Sequence, residues 1–104
     1  MPFTLIRVRG ESMAPTLLNG DHVICWRTRS TRPGAIYHVA HPRFGSIIKR
    51  LDGTGRLSSD NDAGTDSDRL GRIEDCDVRG RAILAIKANG LKPLSARPRC
   101  SHPA

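Results

Sequence analysis

Turn-forming residues divide this chain into short segments, and the positions of these turns limit the fold more than any other feature. Glycine, often beside proline, asparagine or aspartate, recurs within residues 19–21, 32–34, 43–45, 52–55 and 89–90. Between these turns lie six segments of strand length: residues 4–9, 21–28, 35–40, 45–51, 56–59 and 78–88. Residues 4–9 alternate apolar and charged side chains, and no window of a dozen residues has a helical period. The pattern predicts a mainly β fold, a small curled or partly closed antiparallel sheet.

The length of 104 residues is enough for one domain and not for two. We expect this domain to span residues 1–90. Residues 91–104 carry three prolines and two arginines with little to bury, and they are predicted to form a basic, loose tail. Residues 58–71 are predicted to be a polar loop, and a loop this long in a small domain is often functional.

The charge is strongly positive, with 17 basic and 10 acidic residues and a formal net charge of +7. Such a charge attracts polyanions and acidic surfaces, although a biased genome composition would also explain an excess of arginine. The basic residues are scattered, and only four aromatic residues are available to stack on bases. We therefore expect no specific nucleic-acid partner.

Three cysteines, Cys25, Cys76 and Cys100, have no C-x-x-C spacing, which argues against a disulfide framework and a zinc site. No cofactor or metal is expected. The longest apolar run is the five residues 82–86, too short for a transmembrane helix, and the N-terminus lacks a secretory h-region. A cytoplasmic protein is predicted, with peripheral contact at a membrane surface as the alternative.

Ser12 follows a glycine and precedes Met13-Ala14-Pro15, a pattern typical of the first residues of a helical turn. As an N-cap, its hydroxyl would accept a hydrogen bond from a backbone amide of that turn. As a nucleophile, it would benefit from the same exposed amides, which can hold a developing oxyanion. The segment alone leaves both interpretations open and favours the cap.

Lys49 shares one face of a predicted strand with Ile47 and Leu51, so its side chain is a candidate for burial. Burial disfavours the ammonium form and lowers the pKa of a lysine, as a general base requires. The alternative, which this segment alone favours, is a lysine that extends its charge to solvent.

Several short motifs occur in a characteristic order: Ser12-Met13, Gly20-Asp21, Lys49-Arg50, Asp60-Asn61, Asp66-Ser67 and Gly71. In this order and spacing they resemble the type I signal peptidase family of serine–lysine proteases, over about residues 8–86. The resemblance implies a β-rich catalytic domain of the signal-peptidase and repressor-autoprotease type, with a short helical turn at Ser12.

The resemblance also assigns roles to individual residues. Ser12 would be the nucleophile, with its own backbone amide as the oxyanion donor, and Lys49 would be the general base. The supporting residues would be Arg50, Asp60, Asn61 and Asp66. Asp60 would form an ion pair with Arg50 and brace the acidic loop beside the lysine.

Three positions depart from the family pattern. Ser59 replaces a glycine, and Asp68 stands where an arginine is usual, with Arg69 one place later. Gly10 occupies a position where some members carry an oxyanion-binding hydroxyl, which leaves the Ser12 amide as the main donor.

Residues 9–17 and 63–67 resemble most the soluble nickel-type superoxide dismutase maturation proteases. The implied function is a serine endopeptidase that removes an N-terminal leader or propeptide from a precursor protein. One alternative is a self-cleaving-repressor-like protease, which with eleven residues before Ser12 would act in trans. Another is a catalytically inactive β module that binds an acidic partner.

Overall fold

The computed structural model describes residues 2–61 and 67–94, with the backbone alone for residues 67 and 68. The strands are β1 (Phe3–Arg7), β2 (His22–Trp26), β3 (Ile36–His41), β4 (Gly45–Leu51), β5 (Leu57–Ser58), β6 (Asp77–Lys87) and β7 (Gly90–Pro93). The helical elements are the single turn α1 (Ser67–Leu70) and a 3-10 turn at Ile73–Asp75. Each predicted segment coincides with one of β1–β6 to within two residues at each end, which confirms the mainly β prediction.

One antiparallel sheet contains all seven strands. Six of them follow the order β1-β2-β6-β3-β4-β5, and β7 pairs with β6 outside this order. The eleven-residue strand β6 is its centre. It pairs with β2 along one side and with β3 and then β7 along the other. Pairing shifts register between Ile24 and Cys25 and again between His38 and Val39. Such bulges increase the local twist and bend a sheet, and this sheet remains open instead of closing into a barrel.

The sheet continues past residue 90, where the sequence predicted a loose tail. Gly90–Pro93 forms β7 against β6, and the backbone N–H of Leu94 donates to the Ile83 carbonyl at 2.9 Å. Leu91 is 68% exposed, so backbone pairing and not side-chain burial holds this strand. The tail prediction is wrong for residues 91–93 for that reason, and residues 95–104 lie outside the described part of the chain.

Two apolar clusters lie on opposite faces of the sheet. The first contains Val8, Met13, Leu17, Val23, Cys25, Ile36, Ala82 and Ala85. The second contains Ala35, Tyr37, Val39, Leu51, Leu57, Leu70 and Ile73. Successive residues Ile36 and Tyr37 belong to different clusters, as alternation along a strand requires. Leu70, the last residue of α1, is buried in the second cluster, so the predicted loop over residues 58–71 contains a helical turn at its end, and residues 62–66 lie outside the described residues.

Gly80 lies in β6 next to Arg81, which pairs with Trp26 of β2, and a side chain at residue 80 should disrupt the sheet. A Cβ atom at this position would stand 2.7 Å from the Trp26 carbonyl oxygen. We expect Gly80→Ala to lower the free energy of unfolding by about 1–3 kcal/mol. Gly53→Ala is the matched control, because a Cβ there meets no atom within 4 Å, and its effect should stay within about 0.5 kcal/mol. Urea denaturation of both variants measures the difference, and equal stabilities would contradict the crowding.

Candidate active site

The segment that carries Ser12 is a closed loop between β1 and β2. The Val8 amide donates to the Asp21 carbonyl at 2.7 Å, and the Gly20 amide donates back to the Val8 carbonyl at 2.9 Å. Within the loop, residues 12–16 form turns, and the Leu17 amide donates to the Met13 carbonyl at 2.9 Å in helical spacing. Met13 and Leu17 are almost fully buried in the first cluster. The predicted short helical turn is thus anchored by its apolar residues.

Lys49 is 6% exposed, so of the two alternatives for this lysine the structure has the buried one. It pairs in register with Tyr37, which is fully buried. Its Nζ donates a hydrogen bond to the Ser12 Oγ. Burial lowers the pKa of the Lys49 ammonium, and the negative charge of Asp60 opposes part of that effect. Among the described residues the Ser12 hydroxyl is therefore partnered by an amine and not by an amide of its own turn.

The chemical consequence follows from the protonation state. A lysine that loses its proton more readily than usual offers a lone pair, and the hydrogen bond can then run from the Ser12 hydroxyl to Nζ. Among the described residues no carbonyl accepts from the Ser12 backbone amide.

Arg50 and Asp60 form a buried, bidentate ion pair. Arg50 Nε donates to Asp60 Oδ1 at 2.8 Å, and the second guanidinium nitrogen donates to Oδ2 at 2.7 Å. The two side chains are 4% and 9% exposed. A third nitrogen of Arg50 donates to the Gly34 carbonyl at 2.5 Å, and the Thr16 hydroxyl donates to Asp60 Oδ2 at 2.6 Å. The pair that the resemblance implied is present, and Thr16 links it to the Ser12 turn.

Asn61 ties the same turn to the loop after β5. Its backbone amide donates to the Ser12 carbonyl at 2.9 Å, and its side-chain Nδ2 donates to the Glu11 carbonyl at 2.8 Å. The two bonds hold the backbone on both sides of Ser12. Asp66, the remaining predicted supporting residue, lies outside the described residues.

Gly10 explains one departure from the family pattern. Its φ of 80° lies in the left-handed region, where a residue with a side chain is strained. Its amide donates to Asn19 Oδ1 at 2.8 Å, which fixes the bend before Ser12. A hydroxyl residue at this position would disfavour the bend that the loop adopts.

A groove of about 410 Å³ runs past Ser12 between β1 and β4. It is lined by Ile6, Arg7, Val8, Arg9, Ser12, Met13, Ser46, Ile47, Ile48 and Lys49. One edge of β4 pairs with β3. At its other edge, strand β5 pairs only with Arg50 and Leu51. No described strand therefore covers that edge of β4 over residues 45–49. The groove combines an apolar wall, an unpaired strand edge and the Ser12 hydroxyl.

Other chemistry has little support in the described residues. Over residues 2–61 and 67–94, no three His, Cys, Asp or Glu side chains gather closely enough to hold a metal ion. Cys25 is buried, which raises the pKa of its thiol to about 11 and makes it unreactive. The same part of the chain contains no helix that is long and apolar enough to cross a membrane.

Sequence reasoning missed two partners of the Arg50–Asp60 pair. Thr16 and the Gly34 carbonyl are distant in sequence from the charges that they satisfy. A threonine four residues after Ser12, next to the buried Leu17 that anchors the turn, was the available signal for the first. No local pattern points to a particular carbonyl, so the second could not be found.

Comparison with known proteins identifies the family of this chain. The family model described as peptidase S24-like matches residues 2–83, a range that includes Ser12, Lys49, Arg50 and Asp60. No curated protein matches the chain. The family match covers most of the chain and gives peptidase as its general class of activity. The chain belongs to the peptidase S24-like family.

Proposed function

We propose that this protein is a serine endopeptidase in which Ser12 is the nucleophile and Lys49 is the general base. The observation that carries the proposal is the hydrogen bond between the buried Lys49 amine and the Ser12 hydroxyl. A buried lysine with a lowered pKa is half of what such a pair requires. The other half is a hydroxyl that a substrate can reach, and Ser12 lines an open groove.

In the first step the Ser12 Oγ bonds to the substrate carbonyl carbon as its proton passes to the Lys49 Nζ. The carbonyl oxygen becomes an oxyanion, which the Ser12 amide stabilises. The C–N bond then breaks, and Lys49 returns the proton to the leaving amine. A water molecule hydrolyses the acyl-enzyme, with Lys49 again accepting and then returning a proton to Ser12.

The substrate would bind as an extended strand along β4. The Leu51 amide donates to the Ala35 carbonyl on the β3 side at 2.9 Å. Because backbone groups alternate along an antiparallel strand, those of Ser46 and Ile48 face the unpaired edge. A substrate segment that pairs there would pass Ser12, as in other cases of strand addition. A flexible N-terminal leader or propeptide can adopt this extended form, whereas a folded domain cannot.

The proposed substrate class is a precursor protein with such an N-terminal segment. The motif resemblance over residues 9–17 favours the precursor of a nickel superoxide dismutase as the first candidate. The family match favours a second candidate, a self-cleaving-repressor-like protease that acts in trans, one copy of the chain cutting another. Intact-mass measurement of the purified chain during incubation separates the two, because self-cleavage would split this chain and processing would split only the precursor.

Ser12→Ala tests the proposal. With candidate precursors and peptides from their N-terminal segments, we expect wild-type protein to cut one defined bond. The variant should lose about 10⁴-fold or more of this activity, with little loss of stability because the hydroxyl is partly exposed. Ser30→Ala, at an exposed serine outside the groove, is the matched control. Mass spectrometry of the products maps the bond, and retained cleavage by Ser12→Ala would reject the nucleophile.

A further inference from the structure

A second cavity continues the groove at the end remote from Ser12. It has a volume of about 740 Å³, and Ser46 lines both spaces. The inner face of β1 follows the same path, with Val8 and Ile6 in the groove and Thr4 in the second cavity. A chain extended along β4 would therefore pass from Ser12 into this cavity, which we name the basic pocket.

Arginine dominates the basic pocket. Its charged lining residues are Arg27, Arg29, Arg79 and Asp77. Arg79 pairs with Asp77 at 3.2 Å, and both are more than half exposed, so this contact is weak. Arginine thus outnumbers acidic residues among the described lining residues of the pocket. Because the adjoining groove adds Arg7 and Arg9 and has no acidic lining residue, the whole path attracts negative charge.

The polar lining suits a carboxylate. His38 lines the basic pocket, and its Nε2 lies 2.7 Å from the Ser46 Oγ. Burial and the neighbouring Arg79 lower the pKa of this imidazole, so the positive charge of the pocket comes from guanidinium groups. A guanidinium presents donors in a fork that matches the two oxygens of a carboxylate. The pocket contains no Phe, Tyr or Trp among its described lining residues, and stacked bases therefore have no platform.

We infer that the basic pocket binds an acidic side chain of the substrate and so selects which precursor is cut. This inference rests on the proposed function, because the same substrate chain has to reach Ser12. Ser46 and Lys49 are three residues apart on β4, about 10 Å along a strand. The selected Asp or Glu should thus lie about three to five residues from the scissile bond.

Matched peptides test the inference. A series of peptides is made from one cleaved peptide, with a single Glu placed in turn at each position on both sides of the scissile bond. Each Glu peptide is compared with a peptide that carries Gln at the same position. At one position, three to five residues away, the Glu peptide should have a kcat/KM about threefold to fivefold higher. This ratio should approach one at 1 M salt. The double variant Arg29→Glu/Arg79→Glu should invert the preference. Arg32→Glu/Lys92→Glu, at exposed sites that line neither space, should keep it.

Binding separates failure of this inference from failure of the proposed function. Ser12→Ala protein should bind the fluorescent Glu peptide more tightly than the Gln peptide, and Arg29→Glu/Arg79→Glu should remove the difference. Cleavage without a Glu preference at any position overturns the basic pocket and leaves the peptidase intact. Absence of cleavage together with the binding preference overturns the peptidase alone. Equal binding of the two peptides, or arginine-dependent binding of duplex DNA in their place, overturns the inference.

Discussion

Lys49→Met is expected to abolish peptide cleavage and to raise the melting temperature. The loss of a general base should lower kcat/KM by about 10²–10⁴-fold. Stability should rise because methionine fills similar space without a buried amine, and Lys49 as a whole is 6% exposed. Replacement of buried ionic groups by apolar ones can add about 1–4 kcal/mol to the free energy of unfolding. Peptide assays and thermal denaturation measure the two effects on the same samples.

The sign of the pH dependence follows from the lowered pKa of Lys49. The unfolded chain binds this proton more tightly than the folded chain. At pH values below the pKa of the folded state, the cost of burying Lys49 therefore lowers the free energy of unfolding by its full amount. It disappears above the ordinary value of 10.5. The stability advantage of Lys49→Met over wild type should therefore shrink as the pH rises through that window. Wild-type kcat/KM should rise with pH as the amine loses its proton.

Lys87→Met is the matched control, because Lys87 donates to Asp21 Oδ2 at 2.5 Å and both side chains are mostly buried. Removing this partner leaves a carboxylate in a poorly solvated place, so the same substitution should lower the melting temperature. If Lys49→Met also melted lower, Lys49 would be a structural ion-pair partner and not a desolvated base.

Asp60→Asn is expected to be the most destabilising single change at the site. It removes the charge that balances Arg50, whose guanidinium is 4% exposed. Breaking a buried pair by removing one partner costs about 3–5 kcal/mol, a large part of the stability of a small domain. Thr16 would also lose a charged acceptor. Urea denaturation with tryptophan fluorescence from Trp26 measures the loss.

Glu74→Gln provides the control with the same chemistry at an exposed pair. Glu74 accepts from Arg72 at 2.8 Å, yet the two side chains are 69% and 44% exposed. Such pairs contribute at most about 1 kcal/mol. Equal effects of Asp60→Asn and Glu74→Gln would show that the buried ion pair does not hold the loop to β4.

The strands were predictable because their physics is local. Alternation on residues 4–9 and the glycine-marked turns located β1 to β6, whereas the aliphatic neighbours of Lys49 made its burial only one of two alternatives. Strand β7 was missed because its residues are exposed, and only the edge of β6 determines that they pair. An exposed strand leaves no pattern of buried side chains in its own sequence.

The site was predictable in part for a different reason. The resemblance of short motifs to a known protease family indicated Ser12, Lys49, Arg50 and Asp60, which the structure brings together across up to 48 positions, the separation of Ser12 and Asp60. The groove and the basic pocket could not be predicted, because their walls come from several strands joined by long-range pairing. The positive charge was visible in the composition, but its concentration along one path requires the folded sheet.

Labelling with a serine-reactive phosphonate tests the central claim most directly. A phosphonate that mimics an apolar peptide should add covalently to one site, and fragmentation of the labelled protein should place the adduct on Ser12. Lys49→Met should label far more slowly, and Ser30→Ala should label like wild type. An adduct on another residue, or unchanged labelling of Ser12→Ala, would contradict the assignment of Ser12 and Lys49 as the catalytic pair.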